Sequence, residues 1–218
     1  MNWKRPRNSL AWRIHHTKEL EEHLSLTLDP KSTAVVLIDL QNAIVSRQLA
    51  PHAASDVVSR SAKLAEAVRA SGGLAVYVHV LITDVLSLPV DRANPRPQGP
   101  IPPEALELTP AAGFREGDVL ITKRQWGAFY GTNLEQQLRR RGIRTLVLAG
   151  IATNMGVEST ARGAHDQGYE LIFAEDAMSS LSAEFHQFAV QNIFPMMGRV
   201  RSSAEIIEAL QGAEARER

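Results

Sequence analysis

Asp39 closes the run Ala34-Val35-Val36-Leu37-Ile38-Asp39. A carboxylate at the end of an all-apolar segment costs free energy unless it is paired or protonated. It is therefore a general acid or base with a contested pKa, or a cap on a neighbouring turn. Lys123 ends a second apolar run and opens Lys123-Arg124-Gln125-Trp126-Gly127-Ala128-Phe129-Tyr130. Held against an Asp, its ammonium would keep the carboxylate ionised or stabilise an anionic substrate group; alone it is a solvated loop residue. Trp126, Phe129 and Tyr130 read as pocket walls or as simple packing. A third segment, Gly150-Ile151-Ala152-Thr153-Asn154-Met155-Gly156, lies between an apolar run and a helical pattern. A strand–loop–helix passage presents free backbone N–H groups, which attract an anion or a developing oxyanion.

The elements that must position these residues alternate along the chain. Short apolar runs predict strands at 34–39, 75–81, 119–122, 145–149 and 171–174, with a last short one at Val200. Helical spacing predicts helices over 55–70, 134–141, 157–167, 183–193 and 203–210. Gly72-Gly73, Gly142 and Gly168 stand just past helix ends, where a left-handed stop is needed. Thr132 with Glu135 fits a capping box, and Ser202 or Ser203 caps the last helix. Continuously apolar strands alternating with helices predict an α/β fold, a mostly parallel sheet of about six strands between helical layers. In such sheets ligands bind beyond the carboxyl ends of the strands, where Asp39, Lys123 and the 150–156 loop converge. Seven of the eleven prolines fall in 89–110, a stretch read as a cover over that crevice or as an excursion without a role. Residues 1–30 read as an N-terminal extension, 31–212 as the domain and 213–218 as a polar tail.

Composition narrows the function classes. The 218 residues carry 24 basic and 24 acidic groups, a formal net charge of zero, and 44% hydrophobic residues. A globular chain with no global field has little to attract nucleic acid or an anionic membrane, so neither is expected as a partner. No apolar run approaches a membrane span, and the basic arm with Trp3 and Trp12 lacks a signal-peptide core; the default compartment is the cytoplasm. There is no cysteine, which excludes disulfides, thiolate metal sites and a cysteine nucleophile.

Taken together, Leu37-Ile38-Asp39-Leu40-Gln41, the segment from Thr122-Lys123-Arg124 through Phe129, Gly150-Ile151-Ala152-Thr153-Asn154 with Val157-Glu158-Ser159-Thr160-Ala161-Arg162, and Glu175-Asp176-Ala177 resemble the isochorismatase-like hydrolase superfamily. The resemblance covers about residues 31–210 and implies a three-layer α-β-α, Rossmann-like fold. Most members are cysteine amidohydrolases with an Asp, Lys and Cys triad. Asp39 and Lys123 match the first two; the Cys position is Gly156, so the thioester route is closed. The isochorismatases proper cleave an enolpyruvyl ether without a cysteine nucleophile. Gly150 and Gly156 fall on the two glycines of their Gly-Val-Tyr-Ala-His-x-Gly loop. On that carry-over Asp39 protonates the vinyl ether carbon, and Lys123 positions Asp39 or a substrate carboxylate. Thr153 and Asn154 depart from that loop and are amidase-like. The chain most resembles a subgroup carrying Asn-x-Gly-Val-Glu-Ser-Thr.

The resemblance also implies a cis peptide at Ile151-Ala152, aiming loop N–H groups into the site. The pocket and oxyanion candidates are Gln41, Trp126, Phe129, Tyr130, Ile151, Ala152, Thr153, Asn154 and Met155. Nicotinamidases add a metal held by an Asp and two His. The histidines here, at 15, 16, 23, 52, 79, 165 and 186, show no close pair, and no metal or other cofactor is expected. His79 in the second strand is the one crevice candidate, and a satisfied core histidine is the favoured reading of it. The leading reading is a hydrolase using Asp39 and Lys123 on a small carboxylate-bearing substrate without a thioester, with a vinyl ether as one target. The alternative is a non-catalytic member that binds a small ligand or serves in assembly. A homo-oligomer, dimer or tetramer, is expected from the arm and the apolar 185–194 helix.

Overall fold

The computed structural model describes residues 26–86, 88–91 and 99–214. The arm with Trp3 and Trp12, and the prolines at 95 and 97, lie outside the described residues. Six strands run β1 Thr33–Ile38, β2 Leu74–Val80, β3 Val119–Lys123, β4 Thr145–Ile151, β5 Glu170–Ser179 and β6 Arg199–Arg201. They form one parallel sheet in the order β3-β2-β1-β4-β5-β6. The chain reverses its direction of travel across the sheet between β1 and β4, and such a switch point opens a crevice at the strands' carboxyl ends.

Two apolar cores flank the sheet because successive strand residues face opposite sides. Val35 and Leu37 of β1 join Val57, Leu64 and Val68 of α2 (Ala54–Ala70) and Ile206 and Leu210 of α7 (Ser203–Glu214). Ala34, Val36 and Ile38 join Leu134 and Leu138 of α4 (Leu134–Arg139) and Ala161 and Ala164 of α5 (Glu158–Asp166). Every β1 and β4 residue is buried, which is why neither strand alternates in sequence. Two short helices, α1 (Asn42–Val45) and α3 (Pro103–Leu106), sit at the crevice end, and α6 (Ala183–Phe188) follows β5.

Several boundaries differ from the sequence expectations. Leu28 is buried in the first core, so packed structure begins before residue 31. The helix expected over 157–167 begins as a wide π-type turn at Thr153–Val157. The helix expected over 183–193 is α-helical only to Phe188, then widens into a π turn and ends in a tight turn containing Pro195. Phe194 is no part of an apolar surface: it stacks on Phe173 with centroids 4.0 Å apart, inside the core, while Phe185 and Phe188 stay exposed. Ser202 caps α7 with Glu205 as its capping-box partner. The end of the Pro-rich stretch is not patternless. It forms α3 and is tied to the segment after Asp39 by Asn42 N–H to Glu107 O and Thr109 N–H to Leu40 O.

Candidate active site

Three strand ends build the site. β1 delivers Asp39, which leaves the strand at φ +56° with its N–H held by Val78 O at 2.8 Å. Asp is among the few non-glycine residues that tolerate this left-handed backbone. β3 delivers Lys123 from its last position, paired in register with Val80. β4 pairs Ile38 with Gly150. Gly150 has φ +114°, and a Cβ there would run into the Ile38 backbone, so only glycine lets β4 pass this close to Asp39.

Lys123 Nζ lies 2.8 Å from Asp39 Oδ2 and donates to Trp126 O at 2.7 Å. Lys123 is 1% exposed and Asp39 6%. Two of the three ammonium protons are thereby used. Asp39 Oδ1 is buried with no hydrogen-bond partner among the described residues. Burial pushes the Asp39 carboxyl up to about 6; the charge and hydrogen bond of Lys123 pull the other way but do not cancel it. The pair therefore couples a buried cation to an acid that titrates near neutrality.

Gly156 completes the cluster. A Cβ at this position would stand 3.0 Å from Lys123 Nζ, 3.1 Å from Asp39 Oδ2 and 3.0 Å from Ile38 Cγ2. The first side-chain atom of any residue here would touch both charged groups. The Gly156 loop is braced on one side by Thr160, whose hydroxyl donates to Gly156 O at 2.7 Å and accepts from Ala128 N–H at 3.1 Å. The peptide Ile151-Ala152 is cis, as the resemblance implied.

The other candidates divide. Trp126 contributes its backbone carbonyl to Lys123. Thr153 and Asn154 hold the loop, Thr153 Oγ1 against His186 Nδ1 at 2.9 Å and Asn154 Oδ1 accepting from Ser180 Oγ at 2.5 Å. Ile151 is core and Ala152 packs against it. Met155 spends its N–H on Ala152 O at 3.0 Å, so that amide is not available to an oxyanion. Gln41 is buried and gives its amide to Val80 O and Leu106 O while accepting from Val80 N–H; it clamps α3 to β2. Phe129 packs on the second core and beside Tyr169. Tyr130 is 82% exposed and encloses nothing in this protomer. His79 sits 2.7 Å from Thr122 Oγ1, and burial lowers its pKa.

The histidines give one correction. His52 and His186 do pair, with ring centroids 5.6 Å apart and edge-on, although no spacing in sequence announced it. Ala50 and Ser180 exchange two backbone hydrogen bonds, bringing the turn after α1 onto the end of β5. Glu175 lies beside them, and the donor atoms of His52, Glu175 and His186 fall within 4.8 Å of one another. Only Glu175 carried a signal in the sequence, in Glu175-Asp176-Ala177. Its neighbour Asp176 accepts the Ser203 N–H and hydroxyl at the start of α7.

Residues 33–205 match the isochorismatase domain, and the chain belongs to that family. It is 50% identical over 190 residues to the isochorismatase family protein YecD of Escherichia coli O157:H7, covering 85% of this chain and all of that one. It is 32% identical to the ureidoacrylate amidohydrolase RutB of Agrobacterium fabrum, covering 80% of this chain and 88% of the relative. Among solved structures, an isochorismatase family protein from Burkholderia thailandensis superposes with a TM-score of 0.80 at 43% identity, over 85% of this chain and 98% of its own. No helix among the described residues is long and apolar enough to cross a membrane.

Proposed function

We propose that this family member is a hydrolase that uses Asp39 as proton donor and Lys123 as electrostatic partner, without a covalent intermediate, on a small carboxylate-bearing substrate. The observation that carries the reading is the asymmetry of Asp39. Oδ2 is engaged by Lys123, Oδ1 is buried with no partner among the described residues, and burial raises the carboxyl pKa to about 6. A carboxylic acid that keeps its proton toward neutrality suits protonation of a carbon base, which weaker acids perform poorly. A vinyl ether is such a base. Asp39 gives its proton to the terminal vinyl carbon, water adds to the resulting oxocarbenium carbon, and the hemiketal breaks to an alcohol and a ketone. The proton lost from water returns to Asp39. The remaining Lys123 N–H is suited to a substrate carboxylate.

Gly156 supports the same route. With no thiol in the chain, an acyl–enzyme intermediate has no cysteine to form on, and a glycine places no side-chain atom against the two charged groups. The RutB relative acts, by its name, on a ureidoacrylate, and a small carboxylate-bearing substrate agrees with that class. The test is a turnover screen of isochorismate and small carboxylate-bearing amides with wild type and Asp39→Asn. The proposal expects one of them to be hydrolysed and the variant to lose about 10²-fold or more, the scale of general acid catalysis. Binding of such a ligand without turnover would assign the non-catalytic reading instead.

A further inference from the structure

We propose that His52, Glu175 and His186 form a divalent-metal site of zinc type, separate from the Asp39–Lys123 pair. The donor set is two imidazoles and one carboxylate, a combination that binds Zn²⁺ and leaves a fourth position for water or another ligand. The donor atoms already lie within 4.8 Å of one another, and His52 Nε2 is 3.9 Å from Glu175 Oε2. A tetrahedral ion with bonds of about 2.0–2.1 Å needs donors about 3.3 Å apart, so closure asks for shifts of about 1 Å. His52 and Glu175 are the partly exposed members and are free to make them.

The third member is fixed. His186 is 3% exposed, and its Nδ1 is 2.9 Å from the buried Thr153 hydroxyl. A metal-bound imidazole usually has its other ring nitrogen oriented in this way by a hydrogen bond. With Nδ1 engaged, Nε2 is the nitrogen left for a metal. The backbone around the cluster is equally built. His52 O accepts from Ser179 Oγ at 2.7 Å, and the Ala50–Ser180 hydrogen bonds fasten the His52 turn to the end of β5. Through Thr153, an ion here would stiffen the loop that carries Gly156.

Zn²⁺ titration of the full chain against a chromophoric chelator tests the proposal, using wild type, His52→Ala/Glu175→Gln and Thr153→Val. The expected result is one ion per chain, at least a tenfold loss of affinity in the double variant and a loss of about 10–100-fold in Thr153→Val. Both residues of the double variant are partly exposed, so its thermal unfolding transition should persist and report a folded protein. No stoichiometric Zn²⁺ at micromolar concentration in the wild type would overturn the proposal. So would undiminished binding in the double variant, which would place the ion on other histidines.

Discussion

Lys123 Nζ meets Asp39 Oδ2 at 2.8 Å although the two residues end strands that are not neighbours: β2 lies between β1 and β3. Asp39 turns through a left-handed backbone step and Lys123 spans the width of β2 to make the contact. Both are almost fully removed from water, which makes the pair energetically consequential.

Removing both partners should cost less than the sum of the two single removals. Asp39→Asn leaves a buried ammonium without its counter-charge, and Lys123→Met leaves a buried carboxyl; each should destabilise by roughly 3–5 kcal/mol at pH 7. Asn is the fitting replacement because it tolerates the positive φ of position 39. The Asp39→Asn/Lys123→Met double should be more stable than the sum of the singles by roughly 1–3 kcal/mol in denaturant unfolding. Additive losses would mean that the two groups do not couple.

The same pair sets a pH dependence of stability. The folded-state pKa of Asp39 is raised to about 6, whereas an unfolded Asp titrates near 4. Between those values the folded protein holds a proton that the unfolded chain has released. Its contribution is therefore full below about pH 4 and is lost as pH rises to about 6. In Lys123→Met the attraction that lowers this pKa is gone, so the decline should continue above pH 6. Chemical denaturation of wild type and variant from pH 5 to 8 checks it; parallel curves would contradict it.

Much of this site was legible in the sequence because buried parallel strands announce their ends. An acid after five apolar residues and a lysine after a short apolar run mark positions 39 and 123 without any tertiary information. Gly150 was visible as a residue, but its reason, the close passage of β4 along Ile38, exists only in the folded sheet. Gln41 entered as a pocket candidate with the Leu37–Gln41 motif; its three hydrogen bonds to distant backbone, which clamp α3 to β2, exist only in the folded chain. The His52–Glu175–His186 cluster was illegible because a turn, a strand and a helix supply one residue each. The widening of the helices at 153–157 and 189–193 left no mark in the apolar spacing.

Gly156→Cys should gain a reactive thiol and lose native turnover. Its Cβ stands 3.0 Å from the Lys123 ammonium, and a neighbouring cation lowers a thiol pKa. Alkylation at pH 7 should be roughly tenfold faster than in Gly156→Cys/Lys123→Met. Overpacking against Ile38, Lys123 and Asp39 should cost about 1–3 kcal/mol. An inert thiol beside unchanged turnover would remove Gly156 from the active crevice.

Assembly is a separate expectation. Phe185, Phe188, Leu181 and Met196 are exposed apolar residues on or near α6, more than a lone subunit readily leaves to water. We expect a second copy of this chain to cover them. Sedimentation of the full chain at micromolar concentration should report a dimer or tetramer, and Phe188→Glu should shift it toward monomer. A wild-type monomer would contradict the expectation.

The role of Asp39 as proton donor is tested most directly by kcat/KM against pH on the substrate found in the turnover screen. That profile reports the ionisations of the free enzyme. With a carboxyl held at about 6, the acid form is lost above that value. The expected result is a plateau below about pH 6 and a tenfold fall per unit above it, with the residual activity of Asp39→Asn showing no such limb. A profile that is flat from pH 5 to 8, or one that rises with pH through 6, would contradict it.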